Sequence, residues 1–273
     1  MHLTKKFKEK YRYSLILLKE LVKTDFKVRY QASALGYLWA VLRPLFLFAI
    51  LYVVFVWFLK FGGDVPHYPV YLLTGTVLWN FFTEATSMGM NSIISRSDIM
   101  RKINFPKYIV VVSGTVTSLI NLLINVVVII IFAIFNGVTF HWTALLLIPI
   151  IIELYIFSLG LSFLLGALNV KFRDISHIWD IVTQGLFYAT PIIYPITMIM
   201  ANSVTAGKIL MMNPMAQIIQ DARWALITQE SITIWGLMNT PIFRFIPLLI
   251  VIVCFTVSAI YFRKRSKSFA EEI

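Results

Sequence analysis

Residues 108–135 read YIVVVSGTVTSLINLLINVVVIIIFAIF, a run of apolar and small polar residues without one charged side chain. A helix needs about 20 such residues to cross about 30 Å of hydrocarbon. This stretch exceeds that length, so it reads as a transmembrane helix long enough to tilt. Its neighbours have the same character. Leu38–Leu59 begins LWAVLRPLFLF, with Arg43 and Pro44 near its start, where a missing proline N–H does least harm. Val70–Ile94 is weaker because it carries Asn80 and Glu84, Ala144–Leu168 is a further span, and Ile178–Met198 is interrupted late by Pro191 and Pro195. Phe245–Phe262 completes a set of six. The fold class expected is all-α and integral to a membrane.

Composition agrees. The chain has 273 residues, 59% hydrophobic and 14% charged, against about 25% charged in ordinary soluble domains. Its mean hydropathy is +0.81. A soluble globule this apolar would expose large adhesive patches. The formal net charge of +11 does not point to nucleic acid, because the basic residues lie between hydrophobic segments and form no basic–aromatic surface. Twenty of the 24 Lys and Arg residues fall in 1–43, 95–107, 169–177 and 263–273, all on one side of a six-span topology. The other side holds Lys60, Lys208, Arg223 and Arg244. That asymmetry puts both termini in the cytoplasm. Residues 1–37 are too charged for a signal-peptide core, so insertion is expected to use the first span and the amino terminus to be retained.

Two segments do not cross. In residues 14–30, SLILLKELVKTDFKVRY, Leu15, Leu18, Val22 and Phe26 share a helical face while Lys19, Lys23 and Lys27 lie elsewhere. Such a helix suits the membrane surface, or packs on a soluble partner. Residues 199–244 mix short apolar runs with Asn213-Pro214, Gln217, Asp221 and Arg223, too polar to cross and too apolar for a free loop. A pair of re-entrant or interfacial helices fits, since irregular backbone at depth must be satisfied by protein or water. The division expected is an interface segment over 1–37, a transmembrane domain over 38–262 and a cytoplasmic tail over 263–273.

The chemistry available is narrow. The Gly207-Lys208 pair is followed by Ile209 and has no upstream phosphate-loop glycine, and Gly62-Gly63 sits in an outer turn. No HExxH, CxxC or GxSxG occurs, the single Cys254 lies within an apolar run, and His2, His67, His141 and His177 are scattered on both sides. No catalytic, cofactor or metal site is expected in this chain. Glu84 and Glu153 are the intramembrane acids. Each either lines a pathway or is neutralised by a neighbour: Glu84 by a basic or polar group near the cytoplasmic end, Glu153 against another helix. Trp79, Phe81, Phe82, Phe187, Tyr188 and Tyr194 lie on helices that also carry polar groups, and with Glu84 they are candidates for a path on which sugars stack. The connections SRSDIMRKINFPK (95–107) and NVKFRDISH (169–177) mix charge with apolar anchors (Ile99, Ile103 and Phe105; Phe172 and Ile175). Each is a topology signal or a short amphipathic helix offered to a cytosolic partner.

Five blocks occur in order: DFKVRYQASALGYLWAVLRPL (25–45), KINFPK (102–107), NVKFRD (169–174), FYATPIIYP (187–195) and MNPMAQIIQDARW (212–224). Together they resemble the permease subunits of ABC-2 polysaccharide exporters, of the O-antigen and teichoic-acid type. The ending with Phe269, Glu271 and Glu272 is similar too, and FLKFGGDVPHYPV (58–70) resembles permeases for rhamnose-containing cell-wall polysaccharides. The resemblance implies a homodimer in a bacterial plasma membrane, bound to two copies of a separate ATPase that holds ATP and Mg. It also implies re-entrant helices at the exit and a lipid-linked glycan as cargo. Ser97, Asp98, Arg101 and Lys102, with Arg173 and Asp174, map onto the elements that couple permease to ATPase. The rivals are a cation-coupled flippase for lipid-linked sugars, a membrane enzyme, for which no clustered His or Asp site exists, and a scaffold. A flippase would be expected to carry internal repeats, and the halves show no self-similarity.

Overall fold

The computed structural model describes residues 2–30, 35–60, 63, 65–103 and 105–269. Parts of the recognisable blocks therefore lie outside the described residues: 31–34, Asn104, Phe61, Gly62 and Asp64, and the terminal Glu271 and Glu272. Among the described residues every regular element is helical.

The order is α1 (His2–Tyr30), α2 (Trp39–Leu51), which continues as a π-helical segment over Tyr52–Phe58, α3 (Tyr68–Ser95), α4 (Ser97–Lys102), α5 (Tyr108–Phe135) and α6 (Leu147–Lys171). Then follow α7 (Ile175–Ala189), α8 (Ile196–Asn202), α9 (Val204–Met211), α10 (Pro214–Leu226), the single turns α11 (Ile234–Leu237) and α12 (Pro241–Arg244), and α13 (Ile246–Arg265). Among the described residues, four helical stretches are long and apolar enough to cross a membrane: Trp39–Phe58, Tyr108–Phe135, Trp142–Lys171 and Ile246–Arg265. α3 has the length, about 42 Å at 1.5 Å per residue, but Asn80, Glu84 and four threonines dilute its hydropathy. α7 has only 15 residues and stops at Ala189, because the chain between Thr190 and Pro195 leaves the helical path before α8 resumes.

α3 is the centre of the bundle. It packs on α5 and α6, α13 packs on the far side of α6, and α1 and α2 lie against α5. In hydrocarbon the lipid is as apolar as the helices, so close backbone packing, and not burial of apolar area, holds them together. Gly89 shows the requirement: a Cβ there would come within 2.4 Å of the Ser162 Cβ of α6. Ser162 itself reaches across to the Ala85 carbonyl at 3.1 Å and back to Ser158 at 2.7 Å. Hydroxyls of Thr76, Thr86, Thr117 and Ser158 likewise bond carbonyls of the preceding turn, which satisfies them without water.

α1 begins well before the amphipathic segment read from sequence. Its Leu18, Val22 and Phe26 are half-covered, Leu21 is buried, and Leu15 and Ile16 stay exposed. Two ion pairs fix it. Asp25 meets Arg96 at the end of α3, and Arg29 meets Glu84 deeper along the same helix at 2.5 Å. Arg96 also bonds Ser113 of α5 at 2.6 Å, so α1, α3 and α5 are tied at one end.

Candidate functional site

A polar cavity of about 360 Å³ opens between α1, α2, α3, α5 and α7. Its wall includes Arg29, Arg43, Asn80, Glu84, Asn121, Asp180 and Thr183, set in an otherwise apolar bundle. Glu84 is its best-satisfied group: it accepts from Arg29 at 2.5 Å and from the Asn121 amide at 2.8 Å. One turn along α5, Asn125 donates to the Ala40 carbonyl at 3.0 Å, which pins the start of α2 against the bundle. Charged groups at such depth persist only where water or a partner compensates them. The cavity is thus built to be wet.

The aromatic path candidates divide into three groups. Phe81 and Glu84 line the cavity. Trp79, Phe82 and Phe187 turn into the core instead. There Phe82 stacks on Phe157 at 5.6 Å, and Trp79 lies 5.3 Å from Phe82 and 6.0 Å from Phe187. Trp179 of α7 closes this cluster, and its indole N–H donates to the Thr86 hydroxyl at 3.0 Å. Tyr188 is exposed at the end of α7, and Tyr194 folds back to donate to the Tyr188 carbonyl at 3.0 Å. Glu153 does not reach the cavity. It faces α10 beside Gln217 and Asp221, where its Oε1, the Gln217 Oε1 and the Asp221 Oδ1 are buried without partners. Gln217 donates to the other Asp221 oxygen at 2.6 Å, and burial still pushes the Asp221 carboxyl up to about 6.

The group that sequence reasoning did not single out is Arg223. α10 starts cleanly, with Pro214 in its first turn and the Asn213 side chain accepting from the Met215 N–H at 3.0 Å. Every residue of the helix but Trp224 is buried, and Arg223 is fully so. Its Nε donates to the Tyr71 carbonyl at 3.1 Å, and its Nη atoms donate to the carbonyls of Pro191 and Ile192, both at 2.7 Å. Gln220 accepts a fourth bond at 2.8 Å, and the guanidinium lies 3.4 Å over the Tyr71 ring. The Tyr68 hydroxyl takes the next carbonyl, that of Ile193. The break after α7 frees these carbonyls from helical donors, and the fork geometry of arginine collects two of them at once. Gly75 makes the space, since a Cβ there would lie 2.4 Å from Nη2. The clue in sequence was an arginine placed among Ala222, Trp224 and Ala225 with no acid one turn away. At this end of the bundle a second cavity of about 470 Å³ is lined by Lys60, Tyr71, Pro195, Gln220, Glu230 and Ser231.

The two short connections lie together at the opposite end, where Asn169 of α6 donates to Asn91 of α3 at 3.2 Å. Within α4, Asp98, Arg101 and Lys102 are exposed and Ser97 is half-buried, while Met100 and Phe105 anchor the segment in the core. Ile99 and Ile103 are left outside. The second connection is a tight turn, not a helix: only Phe172, Arg173 and Asp174 separate α6 from α7. Arg173, Asp174 and Phe172 are all exposed there, with the Lys171 ammonium 5.0 Å over the Phe172 ring. The tail returns to this end, where Phe269 is buried on Phe262 with Lys107 5.8 Å over its ring.

Residues 16–227 match the protein family described as ABC-2 type transporter. The chain belongs to that family. Among its relatives, the O-antigen export system permease protein RfbA of Myxococcus xanthus is 29% identical over 212 residues, which is 78% of this chain and 80% of the relative. Two proteins of the same name from Klebsiella pneumoniae are 34% identical over 215 residues (78% and 81%) and 32% identical over 220 residues (80% and 82%). The part of this ABC-2 chain that matches the family runs from α1 to just past α10. It contains the polar cavity, both short connections and Arg223, and leaves α13 outside.

Proposed function

We propose that this ABC-2 chain is the permease subunit of an exporter that carries a lipid-linked cell-surface polysaccharide out of a bacterial cytoplasm, driven by ATP hydrolysis in a separate subunit. The observation that carries the reading is the likeness to O-antigen export permeases over about four-fifths of chain and relative alike. The sequence has no phosphate-binding loop of its own, which assigns ATP and Mg to a partner. The glycan is of O-antigen, teichoic-acid or rhamnose-polysaccharide type.

The reading includes six spans with both termini cytoplasmic. α3 supplies the second, and α7 with the segment to Met198 the fifth. Residues 199–244 form re-entrant helices on the outer side, and 1–37 and 263–273 are the interface segment and tail. The exporter is a homodimer on two ATPase copies. Ser97, Asp98, Arg101 and Lys102, with Arg173 and Asp174, dock on the ATPase; exposure of all but Ser97 supports this. Closure of the ATPase pair then drives the permease between two states, which requires those residues to bind the ATP-loaded and empty partner differently. The polar cavity contributes to the path between protomers, with Phe81 and Glu84 on its wall.

The test is depletion of the chain in its own host. The reading expects lipid-linked glycan to accumulate inside the cell while surface glycan disappears, with restoration by the wild-type chain. Unchanged surface glycan would overturn it. Export that survives loss of the ATPase but stops when the proton or sodium gradient collapses would instead install the cation-coupled flippase.

A further inference from the structure

The exposed apolar faces of α2 and α7 need no protein to cover them, because lipid satisfies Phe46, Ile50, Ile178 and Ile181 as well as any side chain does. Two charged residues on the same side are different. Arg43 projects from the first turns of α2, in which only Ala40 and Phe48 are buried, and Asp180 projects from α7. Both line the polar cavity and both are exposed. Among the described residues neither makes an ion pair or a side-chain hydrogen bond. Both sit on helices that are tied to the bundle. Asn125 fixes Ala40, one turn before Arg43, and Trp179, next to Asp180, bonds Thr86 beside Glu84. An uncompensated charge beside these apolar helix faces is expensive.

We propose that Arg43 and Asp180 pair across a two-fold axis with Asp180 and Arg43 of a second copy of this chain, so that the cavity is completed by the partner protomer. A two-fold interface must be complementary to itself, and a face with one unpaired cation and one unpaired anion meets that condition without further residues. Other occupants fit worse. An anionic ligand would meet Asp180 and Glu84 on the same wall, and a cationic one would meet Arg43 and Arg29. The inference rests on the homodimer in the exporter reading and names the charges that set its register.

The experiment uses full-length chains carrying two different tags, expressed in the native host with the rest of the transporter. Arg43→Asp alone and Asp180→Arg alone should each lower recovery of one tag with the other by roughly tenfold, as for a lost close charge pair. Expressing an Arg43→Asp copy together with an Asp180→Arg copy should restore it, because that pairing is complementary only between chains. If the doubly reversed chain recovers but the mixture of single variants does not, the pair is internal to one protomer and the proposal is wrong. Single variants that associate like wild type also overturn it.

A second measurement covers the event that charge reversal prevents insertion. In a Cys254→Ser background, Arg43→Cys on one tagged copy and Asp180→Cys on the other should crosslink in native membranes. Absence of that crosslink in chains that co-purify overturns the pair while leaving the homodimer standing. Wild-type chains that never co-purify refute the homodimer itself, which is a separate failure of the exporter reading.

Discussion

Replacing Arg223 is the sharpest perturbation of the end of the bundle where α10 sits. Its guanidinium donates four hydrogen bonds, three of them to backbone carbonyls of Tyr71, Pro191 and Ile192. A hydrogen bond from a charged donor contributes about 1.5–3 kcal/mol, and each buried carbonyl left alone costs about 1–3 kcal/mol. Against this, removing a buried charge returns its desolvation penalty, so the gross sum overstates the loss. Breaking a buried charged network from one side is usually worth about 3–5 kcal/mol, which we take for Arg223→Met. At roughly 2–4 °C per kcal/mol for a chain of this size, the melting temperature should fall by on the order of 10 °C. Arg223→Lys should lose most of the same stability, because an ammonium cannot fork to the Pro191 and Ile192 carbonyls while also reaching Tyr71. Gly75→Ala should damage the same site without touching the arginine, since its Cβ would meet Nη2 at 2.4 Å. The assay is thermal unfolding in one detergent, followed by intrinsic fluorescence, with Arg223→Met, Arg223→Lys, Gly75→Ala and the double Gly75→Ala/Arg223→Met compared. The two lesions share one site, so the double variant should lose less than the two singles together. A Lys variant that melts with wild type, or fully additive effects of Gly75 and Arg223, would refute the reasoning.

Three further outcomes are expected. Arg29→Ala should destabilise by roughly 1–2 kcal/mol because it strands a half-buried Glu84, and adding Glu84→Gln should recover part of that loss; equal melting of the single and double variants would count against the pair. For Asp221, the folded carboxyl titrates near 6 against an ordinary 3.8. The folded state therefore holds more protons than the unfolded one between those values, and stability falls as pH rises through that window. Wild type should melt higher at pH 5 than at pH 7, and Asp221→Asn should shrink the difference in the same unfolding assay. Arg173→Ala and Asp174→Ala should leave the chain folded and the partner ATPase hydrolysing, while export falls by roughly tenfold, inside the usual range of coupling free energies; measuring hydrolysis and surface glycan on the same cells separates this from simple unfolding.

The helices that face lipid could be read directly, because a bilayer demands unbroken apolar runs: α5, α6 and α13 lie close to where hydropathy puts them. α3 could be read by its length although Asn80 and Glu84 weaken it, and the structure gives the reason they are tolerated there, since Glu84 is neutralised by Arg29 and Asn121. Pro191 and Pro195 signalled the interruption after α7, but local signals did not reveal that α7 stops as early as Ala189. The five helical pieces between Ile196 and Arg244 were anticipated only as a pair, since all but α10 are too short to show a period. The role of Arg223 was out of reach for a different reason. Its partners are backbone carbonyls 31, 32 and 152 residues away, and carbonyls leave no trace in residue identity. The same holds for the aromatic candidates: composition marks Phe81 and Phe82 alike, and only helix rotation sends one to the cavity and the other to the core.

The central claim is that this permease works with a separate ATPase, and it is tested most directly by purifying the tagged chain from its native host in a gentle detergent. Mass spectrometry should find a soluble ATPase in stoichiometric amount, and its hydrolysis rate should change when the permease is added back. A chain that purifies alone, even after crosslinking in the membrane, would contradict the account.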